Sequence, residues 1–328
     1  MTAKTLRVML TMDCERVRDS EFYPAGPATW QESARNISAF ADVAEEHGFR
    51  VTFFSVPEAV EAHGDLFKKL LALGHEVALH LHPHTFRYGV NEYLGNLPYD
   101  RQVEILTEAV EAFTAVMGFT PTSFRPGHFS ANADTFRALA SLGFLRGSSA
   151  IPGRYMPGTG SDWRDWPRRC HYVGSVFEAP VTVHHLRSIR WLVHAARHVL
   201  RLGSHGFLLD ALRNAATMVR RGKGDGAPHS TMLADLRIES GSYSLTREII
   251  EAELARMQSE GQLGVLTSVT HSYINYSERD YGSRDHAMSR RSHLTKMLGS
   301  LRRLRDLEVE SCTLIQAHRD FEAGALSG

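Results

Sequence analysis

A chain of 328 residues is long for one ordinary domain and suits a single α/β barrel carrying an insertion. With 43% apolar residues it can fill a core, and 37 basic residues against 37 acidic ones leave no overall field to draw nucleic acid or an anionic membrane. Any attraction to a charged substrate has to be local.

The apolar opening, residues 6–12, is too short for a signal segment and runs at once into acidic Asp13 and Glu15. No apolar run of about eighteen residues appears, so no membrane span is expected. Three scattered cysteines, Cys14, Cys170 and Cys312, suit a reducing compartment better than a disulfide framework. These signs together point to the cytoplasm.

In chain order, residues 6–12 read as a strand and 30–47 as a helix stopped by Gly48. A strand over 50–56, a helix over 65–73 closed by Gly74, and a strand over 75–82 follow. Val103, Leu106, Val110, Phe113 and Met117 share one face of a helix expected over 98–117. A short strand at 123–126 and a helix at 132–142 complete the regular part. Strands alternating with helices imply βα units and a parallel sheet, closed as a barrel or left open and doubly wound.

The rhythm then breaks. Residues 151–174 read as a long loop, 176–183 as a strand, 186–221 as a basic helical stretch and 222–228 as a flexible Gly-rich link. Residues 185–230 are therefore expected to be a helical insertion or lid within one catalytic domain spanning 1–328. A helix at 245–260, a strand at 263–270, a helix at 286–307 and a strand at 310–316 close the chain.

In parallel α/β architectures functional groups collect where strands end. Four polar clusters fall at such ends: Asp13-Cys14-Glu15, His80/His82/His84, Arg125-Pro126-Gly127-His128, and His271-Ser272. Asp13 and Glu15, two apart on a strand, face one side about 6.5–7 Å apart, so one can ligate a metal while the other takes a proton. Alone, the pair reads first as a loop start.

His is the commonest metal ligand, and three imidazoles within five residues are hard to explain as packing. A straight strand would hold His80 and His84 about 13 Å apart. Pro83 argues against a continued strand, and a helical turn would bring such a pair to about 6 Å. Spacing equally permits His80 with His82. Arg125 is placed to orient Asp13, or is simply a surface turn residue. A lone His271 reads as a structural group more readily than as a catalytic one, and Glu178 reads first as an ordinary ion-pair residue.

The ordered set LTMDCE (10–15), VTFFSV (51–56), GHEVALHLHPH (74–84), SFRPGHF (123–129) and SVTHSY (268–273) resembles the polysaccharide deacetylase, or NodB-homology, family related to carbohydrate esterase family 4. That resemblance implies a distorted (β/α) barrel of parallel strands. It also implies one divalent metal ion, zinc first and cobalt, nickel or manganese as other candidates, held by Glu15, His80 and His84. By the same resemblance Asp13 is the base, Arg125 its tether and His271 the general acid.

Two departures stand out. The family's adjacent Asp-Asp is Asp13-Cys14 here, which leaves the roles of Asp13 and Glu15 open to exchange. Its Arg-Pro-Pro-Tyr is Arg-Pro-Gly-His, which moves the oxyanion amide to Gly127 or His128. Gly127, His128 and His82 are then the candidate substrate contacts.

The expected activity is N-deacetylation of an acetylated amino sugar or sugar conjugate inside the cell. A deformylase, an amidase acting on a cyclic imide or ureide, and a non-catalytic carbohydrate-binding relative are the alternatives. The H-x-H of an amidohydrolase would sit on the first strand, whereas here it sits on the third. Arg187, Arg190, Arg197 and Arg201 could guide a phosphate-bearing substrate or form a solvated helix face. The expected partner is a small-molecule or sugar substrate, without nucleic acid; homo-oligomerisation is left open.

Overall fold

A computed structural model describes residues 4–19, 25–85, 88–187, 231–239, 243–277 and 289–326. Strand β1 (Lys4–Cys14) is the axis of the sheet. Parallel partners lie on both its sides, so its side chains alternate between two buried faces, and Leu6, Val8, Met9, Leu10 and Met12 are all buried.

Helix α1 (Trp30–Glu46) starts at Thr29, whose hydroxyl accepts from the Glu32 amide. It leads to β2 (Val51–Ser55), paired parallel with β1. Helix α2 (Pro57–Ala72) begins eight residues before the expected Asp65, because Pro57 suits a first helical position. It kinks at His63 (φ −126°).

Strand β3 (Glu76–Leu81), helix α3 (Tyr99–Met117), strand β4 (Ser123–Pro126) and helix α4 (Ala133–Ser141) match the sequence reading within two residues. Helix α3 buries Ile105, Leu106, Ala109, Phe113 and Met117 and ends at Gly118, which holds φ +80°. After β5 (Arg146–Gly147), the expected loop carries a small hairpin of β6 (Tyr155–Met156) and β7 (Ser161–Asp162). Strands β8 (His171–Val173) and β9 (Val176–Glu178) then form the antiparallel edge.

The single strand expected over 176–183 is two strands. Pro180 has no N–H to give a ladder, and the chain restarts as β10 (Val183–Arg187). That strand pairs antiparallel with β11 (Thr231–Asp235). The expected insertion falls mostly on residues 188–230, outside the described residues, as do Arg190, Arg197 and Arg201; its two flanks are bonded to each other.

Helix α5 (Tyr243–Ser259) precedes β12 (Val265–Thr267) and β13 (Thr270–His271). The one strand expected over 263–270 is split because its partners change: Ser268 N–H donates to Met9 O and Val269 N–H to Leu236 O. Helix α6 (Arg290–Leu301) is shorter than expected, and residues 286–288 lie outside the described residues. Strand β14 (Leu307–Ser311) ends early because Thr313 caps helix α7 (Leu314–Glu322), accepting from the Gln316 amide.

The strand order is β12-β1-β2-β3-β4-β5-β9-β8, with β13 and β14 also on β1. Pairing from β12 through β9 is parallel, and β8 is antiparallel. The sheet curls towards itself: Thr182 N–H donates to Thr267 O at 3.1 Å, and Leu236 N–H to Thr182 O at 2.8 Å. The result is a distorted (β/α) barrel in which the ends of β1, β3, β4 and β13 meet. No described helix is long and apolar enough to cross a membrane.

Candidate active site and metal centre

Strand alternation builds the first part of the site. Asp13 and Glu15 share a face at the end of β1, while Cys14 turns into the apolar core, where burial pushes its thiol far above the usual range. The end of β1 is pinned by its neighbour, since Ser272 N–H donates to Asp13 O and Glu15 N–H donates to the Ser272 hydroxyl at 3.0 Å. Asn36 of α1 donates to Ser272 O, which locks that corner to the helix.

Arg125 on β4 is fully buried and makes four hydrogen bonds: to Asp13 Oδ1 at 2.7 Å, Thr11 Oγ1 at 2.7 Å, Ser148 O at 3.1 Å and Ser148 Oγ at 2.9 Å. Its guanidinium also lies 4.1 Å from the centroid of Phe54. Burial alone would raise the Asp13 carboxyl. The Arg125 charge, helped by His80 and His271, outweighs burial and holds Asp13 below the usual carboxylate range.

The histidines follow from the end of β3. His80 and His82, two apart, face Glu15. Pro83 then opens a 3-10 turn (Pro83–Thr85) that carries His84 onward. His82 Nε2 lies 3.2 Å from Glu15 Oε1 and 3.0 Å from His80 Nε2, and His80 Nε2 lies 3.5 Å from Glu15 Oε1. The donor atoms of Glu15, His80 and His82 thus converge within 4.8 Å of one another, all three residues buried.

His84 lies instead with His82 and His128 in an adjoining group, its ring 5.2 Å from that of His82 and 4.8 Å from that of Tyr93. The sequence left His80 free to act with either His82 or His84; because strand geometry persists to His82, that imidazole, a candidate substrate contact, meets Glu15 beside His80, while the turn at Pro83 carries His84 into the adjoining group.

The donor set suits a divalent ion. His80 donates Nδ1–H to Arg125 O at 2.7 Å, which leaves the Nε2 lone pair facing His82 Nε2. Two imidazole nitrogens at 3.0 Å beside a buried carboxylate call for a cation between them, either a proton or a metal. Burial would raise the Glu15 carboxyl, yet the two imidazoles hold it well below its usual range. His84 is pushed down to about 3 by burial and by His82, so it is neutral and available as a ligand.

Gly127 has a steric reason to be glycine: a Cβ there would come within 2.4 Å of His82 Nδ1. His128 and Phe129 both hold left-handed backbone (φ 55° and 54°), a conformation costing of order 1–3 kcal/mol per non-glycine residue. It is held in place by Trp163 Nε1–H and the Ser161 hydroxyl, both donating to Phe129 O. His128 is exposed, and its ring stands 5.1 Å from those of His82 and His84.

His271 on β13 is in register with Asp13 on β1, which puts base and acid candidates on neighbouring strands. Its Nδ1–H donates to Glu239 Oε1 at 2.7 Å, and its ring stacks on Tyr273 at 4.9 Å. Sequence reading missed Glu239: it lies on a short stretch after β11 with no periodicity, held by Val269 N–H to Leu236 O and Ile238 N–H to Val269 O. Among the described residues no arginine forms an ion pair with Glu178. It is fully buried, accepts from the Ser149 and Ala150 amides at 2.6 and 3.0 Å, and is pushed up to about 7 by burial.

Residues 23–146 match the family model for polysaccharide deacetylase. A structure from Mycobacterium smegmatis described as a polysaccharide deacetylase is 19% identical, with a TM-score of 0.60 over 99% of this chain and 93% of that one. A Pseudomonas aeruginosa PAO1 structure of the same description is 11% identical, with a TM-score of 0.56 over 99% and 93%. Puue allantoinase is also 11% identical, with a TM-score of 0.55 over 100% and 94%. No curated protein sequence matches. At these identities the structural likenesses establish the fold.

Proposed function

From the polysaccharide deacetylase match over residues 23–146, we propose that the chain is a metal-dependent amide hydrolase that removes an acetyl group from an acetylated amino sugar or sugar conjugate. The observation that carries this reading is the meeting of three parts at the strand ends. An Arg125-held Asp13, the buried donor set of Glu15, His80 and His82, and His271 on the strand beside Asp13 lie together. We assign the ion to Glu15, His80 and His82, with His84, the ligand implied by the sequence resemblance, next in reach.

Glu15, His80 and His82 would hold the divalent ion, zinc being the first candidate, and it would supply Lewis acidity to the attacking water and the carbonyl oxygen. Asp13, kept ionised and fixed by Arg125, accepts the proton from the attacking water. The backbone N–H of Gly127 or His128 would receive the developing oxyanion, a contact worth roughly 3–4 kcal/mol when well aligned. His271, its Nδ1–H held by Glu239, delivers a proton from Nε2 to the departing nitrogen. Three free, buried cysteines support a reducing, cytoplasmic setting.

Full-length alignment with an allantoinase keeps a cyclic ureide as the second reading. Zinc-loaded protein assayed for acetate release from N-acetylated sugars, formate release from formylated ones, and opening of a cyclic ureide decides between them. Asp13→Asn is expected to keep the metal and lose activity. Loss of both makes Asp13 a ligand, and full metal loading with no turnover of any of the three classes refutes the hydrolase.

A further inference from the structure

Glu239 belongs to a longer buried chain of charge. Arg237 donates to Glu239 Oε1 through NH1 at 3.2 Å and to Asp235 Oδ2 through Nε and NH2 at 3.1 and 3.0 Å. The side chains of Asp235, Arg237 and Glu239 are 11%, 20% and 9% exposed, so these pairs are only weakly screened. The second Glu239 oxygen accepts from the Thr270 hydroxyl at 3.1 Å, which leaves Oε1 for Arg237 and His271.

Asp235 ends β11, and Arg237 bridges to Val269 just before β13. Arg237 is therefore anchored on one side by Asp235 and grips Glu239 on the other. Without that grip, Glu239 keeps among the described residues a single hydroxyl contact besides His271, too little to stop its carboxylate swinging away.

We propose that Arg237 is a positioning residue for the general acid: anchored on Asp235, it fixes Glu239 against His271 Nδ1, so that Nε2 is the ring nitrogen that gives up the proton. This rests on the hydrolase reading for its consequence in catalysis, while the placement of the ring is independent of it. A neutral His271 keeps its proton on Nδ1, facing Glu239. Nε2 takes up a second proton from solvent before the amide breaks; that proton then passes to the leaving nitrogen, and His271 returns to its neutral Nδ1–H form with the bond to Glu239 intact. An amine leaves only when protonated, whereas a nitrophenolate leaves unaided, so the two leaving groups separate an effect on the acid from general damage.

The test uses full-length Arg237→Met, Glu239→Gln and the double variant, with two readouts. The imidazole 15N spectrum of His271, assigned by its loss in His271→Asn, is expected to show the Nδ1–H tautomer in the parent protein and to shift towards Nε2–H in Arg237→Met. With zinc-loaded enzyme, Arg237→Met is expected to lower kcat on an N-acetylglucosamine oligomer roughly tenfold with KM unchanged. It should leave 4-nitrophenyl acetate hydrolysis within about twofold of the parent. The double variant is expected to be no slower on the amide than Glu239→Gln alone, because Arg237 acts through Glu239. The proposal is overturned by an unchanged His271 spectrum in Arg237→Met, by equal losses on amide and ester, or by losses that multiply in the double variant. A parent enzyme that spares the amide altogether refutes the hydrolase reading instead, and the spectrum then decides the role of Arg237 by itself.

Discussion

Replacing Arg125 by Met is the most informative single perturbation of the site. Arg125 is fully buried, and its four hydrogen bonds end on Asp13, Thr11 and both oxygens of Ser148. Its removal leaves the Asp13 carboxylate buried without its counter-charge, which costs about 3–5 kcal/mol. For a chain of this size that is a fall of roughly 4–7 °C in Tm. The sign of the pH dependence follows from Asp13.

In the parent, Arg125 holds the Asp13 carboxyl below its usual range, so its stabilising contribution is present at neutral pH and is lost only as pH falls through that depressed value. In the variant burial is opposed only by His80 and His271, and the carboxyl rises from its depressed value. The stability deficit should therefore be full at pH 7 and shrink as pH falls and the variant's Asp13 takes up a proton. Thermal melts from pH 7 down to the acid edge, with acetate release on the same samples, read both effects. The acid limb of the rate profile should move to higher pH as the base protonates earlier. A deficit that stays constant with pH, or grows as pH falls, would show that Asp13 and Arg125 are not electrostatically coupled.

The remaining expectations concern the ligands and the buried acids. His82→Ala should weaken zinc binding by more than about 100-fold and His84→Ala by only about 10–100-fold, as measured by competition with a chelating dye; the reverse order would return the ion to the H-x-x-x-H pair. Gly127→Ala, whose new Cβ would meet His82 Nδ1 at 2.4 Å, should cost roughly 1–3 kcal/mol and weaken zinc binding together, and a melt identical to the parent's would refute the close packing. Glu178, pushed up to about 7, favours the fold when protonated, so its contribution is full below the usual carboxylate range and is lost as pH rises to about 7. Glu178→Gln should accordingly gain stability relative to the parent as pH rises over that interval, and parallel stability curves would contradict the burial argument.

Much of this was legible in the sequence because the βα rhythm is strong where both faces of a strand are buried. Alternation placed Asp13 and Glu15 together, and chain order placed Arg125 and His271 at strand ends. What could not be read depended on contacts between distant segments. His80 and His82 both face Glu15 because the strand geometry persists to His82, and Pro83 turns the chain only afterwards. Spacing leaves that choice open. Glu239 lies on an irregular stretch whose position is fixed by Leu236 and Val269, 33 residues apart in sequence, and no local pattern announces it. The split of the 263–270 segment has the same origin, a change of hydrogen-bond partner at Ser268 and Val269. Helix α7 was missed because its apolar start, Leu314-Ile315, continues a strand-like run.

The central claim is tested most directly by a crystal structure of protein purified with zinc, read with anomalous scattering at the zinc edge. One ion per chain coordinated by Glu15, His80 and His82, with Asp13 beside it on Arg125, is the predicted result. Zinc-saturated protein showing no anomalous peak at that point, or a peak on other residues, would contradict the account.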